Sequence, residues 1–190
     1  MPSSSDKDRV PPGQTVVRDF PVLTYGEVPN LDLAKWSFAT FGLVEQPMEL
    51  SYNEFMGLPR TTVRADFHCV TGWSRLDNQW EGISLREVLR LARPRPEARY
   101  VLVHCYGGYT TNVPLEVLEG DDVLLAFRHD GRELSPDHGW PLRLVVPSRY
   151  GYKSAKWVWG LEFMAEDKPG FWEEAGYHNN ADPWKEERFD

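Results

Sequence analysis

The feature that most limits the fold is the brevity of every apolar run. Tyr100–Cys105, Val123–Arg128, Pro141–Pro147 and Lys156–Met164 are short, and each is bounded by Gly, Pro or charged residues. None approaches the roughly 18 residues of a membrane-crossing helix. Runs of this length suit strands. Val63, Ala65 and Phe67 alternate with Arg64, Asp66 and His68, the period of a half-buried strand. Trp36–Val44 reads as a further strand bent at Gly42, and Asp130-Gly131 supplies hairpin turn chemistry. Helical signals are fewer. Ser51…Glu54 and Ser84…Glu87 match capping boxes, and the second opens an amphipathic stretch with Leu85, Val88, Leu89 and Ala92 on one face, ended by Pro94. Many short strands with few short helices predict an α+β class with mixed β-sheets.

The 190 residues suffice for one domain with its own core. Residues 1–19 predict a flexible polar lead-in, with the first dozen residues poorly ordered. Residues 20–165 predict the domain body, and 166–190 an acidic, aromatic-anchored tail on that body. Phe20–Pro29, broken by prolines, predicts extended backbone laid against the core. Eight Trp and an aromatic content of 13% exclude disorder as a description of the whole. The formal net charge is −8, and residues 161–190 hold nine acidic against three basic side chains. Generic nucleic-acid binding therefore has no electrostatic support. The N-terminus lacks the apolar core of an export signal, so a cytoplasmic location is expected, with Cys69 and Cys105 as reduced thiols.

Cys69 follows the strand ending at His68 and precedes Val-Thr-Gly-Trp73, a place where a side chain can face a pocket. Taken alone it reads as a small buried hydrophobe or as a nucleophile with His68 or His104 as base. His68 is poorly placed for that, since successive strand side chains point to opposite faces. The same alternation, with the absence of any Cys-x-x-Cys spacing, argues against structural zinc at His68-Cys69 and His104-Cys105. A second cluster is more specific. Asp137-His-Gly-Trp-Pro-Leu-Arg143 leads through a strand to Ser-Arg-Tyr-Gly-Tyr-Lys-Ser-Ala-Lys-Trp157. It gathers His138, Arg143, Arg149, Lys153 and Lys156 around strand ends, with Gly151 open to close backbone approach. Cations at turns suit a phosphate or pyrophosphate.

Phe-His-Cys-Val-Thr-Gly-Trp, Asp-His-Gly-Trp-Pro-Leu-Arg-Leu-Val-Val-Pro and Tyr-Gly-Tyr-Lys-Ser-Ala-Lys-Trp, in this order, resemble the molybdopterin-binding oxidoreductases of the sulfite oxidase type. That family includes the catalytic subunit of methionine-sulfoxide reductase. The resemblance covers about residues 36–165 and implies the family's fold, with molybdenum and molybdopterin as cofactors. It implies Cys69 as the thiolate ligand of the metal. It implies His138, Arg143, Gly151, Tyr152, Lys153 and Lys156 as holders of the pterin and its phosphate, with His104, Cys105 or Thr110 near a further pterin contact. Tyr177, five residues after Trp172, echoes a tyrosine that faces the metal in sulfite-oxidising members; it reads equally as an anchor for the acidic tail. Arg64, Arg75 and Arg149 are the candidates for an arginine that orients substrate.

The implied activity is oxygen-atom transfer coupled to two-electron transfer on a small sulfur oxyanion or an S- or N-oxide. No haem or iron–sulfur ligation pattern is present, so the electrons are expected to pass to or from a separate partner. The C-terminal β-sandwich of sulfite oxidases in the strict sense, and the haem domain of some of them, are not expected within 190 residues, nor is the export signal of the secreted reductase expected from this N-terminus. A non-catalytic molybdopterin-binding protein and a cysteine-nucleophile hydrolase or transferase stand as the alternatives.

Overall fold

The computed structural model describes residues 6–190. Two mixed sheets carry the fold. The first contains β1 (Thr15–Val16), β4 (Thr61–His68), β5 (Trp73–Ser84), β8 (Leu124–His129), β9 (Arg132–Glu133) and β10 (Arg143–Val145). The long strand β5 is its spine, pairing parallel with β1 and antiparallel with β4 and β8. The second sheet runs β3 (Met48–Ser51), β2 (Ser37–Gly42), β11 (Val158–Met164), β6 (Tyr100–Cys105), β7 (Thr110–Pro114). Its β11–β2 pair is parallel and the rest are antiparallel. The helices are short: α1 (Tyr52–Met56), α2 (Leu85–Ala92), α3 (Leu115–Leu118) and α4 (Phe171–Glu174). Among the described residues no helix is long and apolar enough to cross a membrane.

Strand periodicity decides which side chains meet. Ile83, Leu125 and Leu144 of the first sheet share one core with Phe38, Val103 and Leu161 of the second. Their sheet neighbours Trp80, Leu124, Ala126 and Val145 face the other way and form a smaller core with Phe67, covered by Phe20 and Trp73. Each such side chain contributes about 1.5–3 kcal/mol by leaving water. Covering both faces of the first sheet takes material from outside it, and the segment around Phe20 supplies part of it.

The local signals are realised unevenly. Ser51 and Glu54 form a complete capping box on α1. At α2, Ser84 accepts from the Arg86 amide, but Glu87 pairs with Arg90 instead of reaching back. The strand β5 carries no sequence alternation that announces it. It includes Asp77 at φ 57° and a buried Asn78, and its polar side chains are satisfied laterally: Arg75 donates to Asn78 and Asp130. Of the lead-in expected to be loose, residues 1–5 lie outside the described residues. From residue 6 onward it is tied down, because Arg9 forks onto Asp66 at 2.6 and 3.0 Å and β1 joins the sheet edge. The tail from residue 166 lies across β7, with Asn112 donating to Asp167 and Asn179.

Candidate active site

Cys69 sits in the turn that joins β4 to β5. Its amide donates to Trp73 O at 2.8 Å, and Gly72 N donates back to Cys69 O at 3.0 Å. Both ends of the chain brace this turn. Gln14 Nε2 donates to Cys69 O, Trp73 O and Ser74 Oγ, while Arg188 donates to Val70 O and to Gln14 Oε1. The Sγ lies 3.1 Å from Thr71 Oγ1 and faces a cavity of about 370 Å³. His68, one residue earlier, bonds Ser74 Oγ at 2.7 Å and lies against Trp184 instead. Burial pushes the Cys69 thiol up, so its ionised form needs a cation to hold it.

One end of the cavity is cationic. Arg143 is 3% exposed and its guanidinium is enclosed by the rings of Phe20, Phe67 and Trp80. It donates only to carbonyls, His138 O and Ser154 O, and its buried Nε has no partner. Burial draws its pKa down to about 10. Lys156 likewise donates to Leu23 O, Asp137 O and Thr24 Oγ1, and burial lowers it to about 8. His138 Nε2 lies 3.1 Å from Phe20 O and Nδ1 lies 3.0 Å from Ser135 Oγ. A carbonyl can only accept, so Nε2 carries the proton and the neutral ring accepts from Ser135; burial lowers its pKa, which favours that form. Two glycines permit this crowding. Gly139 has φ 114°, and a Cβ there would meet Arg143 Cβ at 2.9 Å. A Cβ on Gly151 would meet the Phe67 ring at 2.6 Å.

The other end is aromatic. Trp172 of α4 and Tyr177 lie 5.2 Å apart, Tyr177 is 5.5 Å from Tyr152, and Tyr25 approaches Trp172 at 5.5 Å. Tyr109 completes the wall, donating to Tyr152 O at 2.6 Å. Among the described residues no Asp or Glu lines the cavity, although the chain carries a net charge of −8.

The structure brings together Cys69, His138, Arg143, Gly151, Tyr152, Lys156 and Tyr177. It does not bring Lys153 with them. Lys153 follows Tyr152 in a 3-10 turn that directs it inward, where its Nζ pairs with Glu173 at 2.6 Å and donates to Asn112 O at 2.8 Å. Of the stretch His104–Thr110, the residue in the wall is Tyr109. His104 pairs with Glu162 at 2.8 Å between Phe41 and Trp159, Cys105 is sealed in the main core, and Thr110 lies in β7 outside the wall. The candidate arginines also lie elsewhere. Arg64 is largely solvated beside Asp77, Arg75 pairs with Asp130, and Arg149 donates to Ser148. With neither His68 nor His104 in the wall, Cys69 has neither of the bases considered for it as a nucleophile. Tyr25, Phe20 and Leu23 of the N-terminal segment are wall residues that its apolar, proline-broken pattern signalled only as covering.

These donors fit a molybdenum–pterin group. A soft sulfur stands at one point of the wall, and the buried Arg143 and half-buried Lys156, which have only neutral oxygen partners, suit an anion such as a phosphate. The orphaned Arg143 Nε is the sharpest sign, because a buried donor without a partner costs about 1–3 kcal/mol.

Comparison with known proteins agrees. The oxidoreductase molybdopterin binding domain matches residues 25–172. An uncharacterized oxidoreductase of Bacillus subtilis (strain 168), YuiH, is 47% identical over 98% of this chain and 94% of its own length. The sulfite oxidase of Arabidopsis thaliana is 30% identical over 80% of this chain, which spans about half, 48%, of that protein. Among solved structures, the sulfane dehydrogenase SoxCD from Paracoccus pantotrophus superposes with a TM-score of 0.66 at 26% identity, over 73% of this chain and 40% of its own. A match across most of the chain, with a cavity whose donors suit the cofactor, shows that this protein belongs to the molybdopterin-binding oxidoreductase family.

Proposed function

We propose that this oxidoreductase transfers an oxygen atom in step with two electrons, on a small sulfur oxyanion or an S- or N-oxide, and exchanges those electrons with a separate partner. The observation that carries the reading is a cavity whose wall, among the described residues, holds a buried thiol, the buried Arg143 and the half-buried Lys156, and no carboxylate. The bound cofactor supplies the oxygen-atom and electron chemistry; the protein supplies a ligand, orientation and a selective pocket. Cys69 would hold the molybdenum, fixed by the turn that Gln14 and Arg188 brace. Arg143 and Lys156 would neutralise the pterin phosphate, and His138, neutral with Nε2 protonated, would hold the N-terminal segment over it through Phe20 O. Trp172, Tyr109 and Tyr25 would give the opposite end, which opens to solvent, an apolar wall. Tyr177, a residue of the cavity wall, would donate a hydrogen bond to an oxygen of the substrate.

The test is composition before activity. Protein made in cells able to build the pterin is expected to carry molybdenum and pterin in equal amounts, close to one per chain. It is then expected to reduce an S- or N-oxide with reduced viologen, or to oxidise sulfite with ferricyanide. Carefully isolated material with no molybdenum overturns the reading.

A further inference from the structure

We infer that the aromatic end of the cavity is a subsite for a neutral S- or N-oxide bearing an apolar group, and that it discriminates against oxyanions such as sulfite or nitrate. This rests on the proposed function and narrows its substrate class. Charge at the wall is the first support. Arg143 and Lys156 are the Arg and Lys side chains of the wall among the described residues, and a pterin phosphate would draw on both. Among the described residues, a second anion would find no further cation in the wall. Arg64 and Arg75 pair with Asp77 and Asp130, Arg149 donates to Ser148 outside the wall, and Arg188 donates to the turn backbone and Gln14. Stripping water from an oxyanion without such a partner is strongly unfavourable.

The mouth is the second support. Tyr25 is 71% exposed yet lines the cavity, so this end opens to solvent. Its ring meets Phe171 at 5.0 Å and Trp172 at 5.5 Å, joining the N-terminal segment to the tail across the opening. Such rings take apolar groups edge-on or stacked. The tail that supplies Trp172 and Tyr177 carries eight acidic against three basic residues from 166 to 190, and its field repels anions at the entrance.

The test uses the holoprotein, with molybdenum and pterin measured first. Binding is followed by calorimetry with two unreactive probes, methyl phenyl sulfone and sulfate. Turnover is followed with methyl phenyl sulfoxide, whose S=O bond breaks as two reduced viologens each give one electron and two protons are taken up, leaving the thioether and one water. The sulfone is expected to bind, sulfate not to compete with it, and the sulfoxide to turn over faster than sulfite or nitrate. Tyr25→Ala, at an exposed position, and Trp172→Ala are each expected to raise the sulfoxide KM and the sulfone Kd about tenfold with kcat little changed. Tyr25→Arg is expected to let sulfate compete. Tight sulfate binding by the unaltered protein, preference for sulfite, or a sulfoxide KM indifferent to both alanine variants overturns the inference while the molybdenum reading stands. A preparation without molybdenum overturns the functional reading and this inference with it.

Discussion

The two ends of one cavity solve opposite problems with different parts of the chain. The cationic end is built from the first sheet and the loops around β10, and it holds the buried Arg143 and the half-buried Lys156 among carbonyls and ring faces. The aromatic end is built from segments added at the two ends of the domain, Tyr25 on one side and Trp172 with Tyr177 on the other. The first end is preorganised for a fixed anionic group and carries donors left unused. The second has rings that gain by excluding water and make few directional demands. A family that keeps one cofactor while changing substrate would vary the second end and hold the first.

Proton behaviour divides them too. Burial raises the Tyr109 and Tyr152 hydroxyls, so both stay neutral at any ordinary pH. At and behind the cationic end, burial lowers the pKa of His138, and His129 is lowered to about 4.

The most severe challenge to this division is Cys69→Ser or Cys69→Ala. Turnover should vanish and molybdenum content collapse, with circular dichroism and melting temperature near those of the parent. Retained oxidoreductase activity would remove the sulfur from its assigned role. Next in size is the buried pair Lys153–Glu173, which the structure assigns to the tail and not to the cationic end. Lys153→Met leaves Glu173 buried without its partner and is expected to cost about 3–5 kcal/mol in urea unfolding. Lys153→Met with Glu173→Gln should recover much of that. A Lys153→Met protein of normal stability that loses its pterin would return Lys153 to the cationic end.

Acid should weaken the region behind the cationic end. Unfolded, His129 takes its proton near the ordinary value of 6.5; folded, it does so only near 4. The unfolded chain therefore binds the extra proton between those values. Stability is undiminished above about pH 6.5 and falls toward pH 4, by about 3 kcal/mol from this group. His129→Gln should flatten the urea midpoint across that window, and an unchanged slope would show that His129 is not buried neutral. The smallest effect is expected from removing single cations. Arg143→Gln should weaken pterin retention about tenfold to hundredfold, as loss of charge-assisted hydrogen bonds does, and Lys156→Gln somewhat less. Pterin content equal to the parent in both would break the contrast between the two ends.

Several of these assignments were open to a reader of residues alone, and others were not. The alternation through Phe67, the thiol after it, and the downstream His138, Arg143 and Lys156 stand in local patterns whose geometry is local as well. Strand β5 is invisible by the same standard, because its polar residues are stabilised sideways by Arg75, Asn78 and Asp130 across adjacent strands. Choosing among His104, Cys105 and Thr110 failed because the hairpin between β6 and β7 presents Tyr109 to the cavity.

What the sequence by itself determined is the chemical inventory and its order: two thiols at strand ends, cations around two later strand ends, an acidic aromatic tail. Only the tertiary structure decided which members of that inventory share a space. Lys153 and Lys156 stand three residues apart, yet one is claimed by Glu173 and the other reaches Leu23 O. The 3-10 turn ends at Lys153, whereas Lys156 lies beyond it in a bridge to Arg143, and the partners that settle each direction lie 20 and 133 positions away. Such contacts are chosen by the packing of whole elements, which no local pattern records.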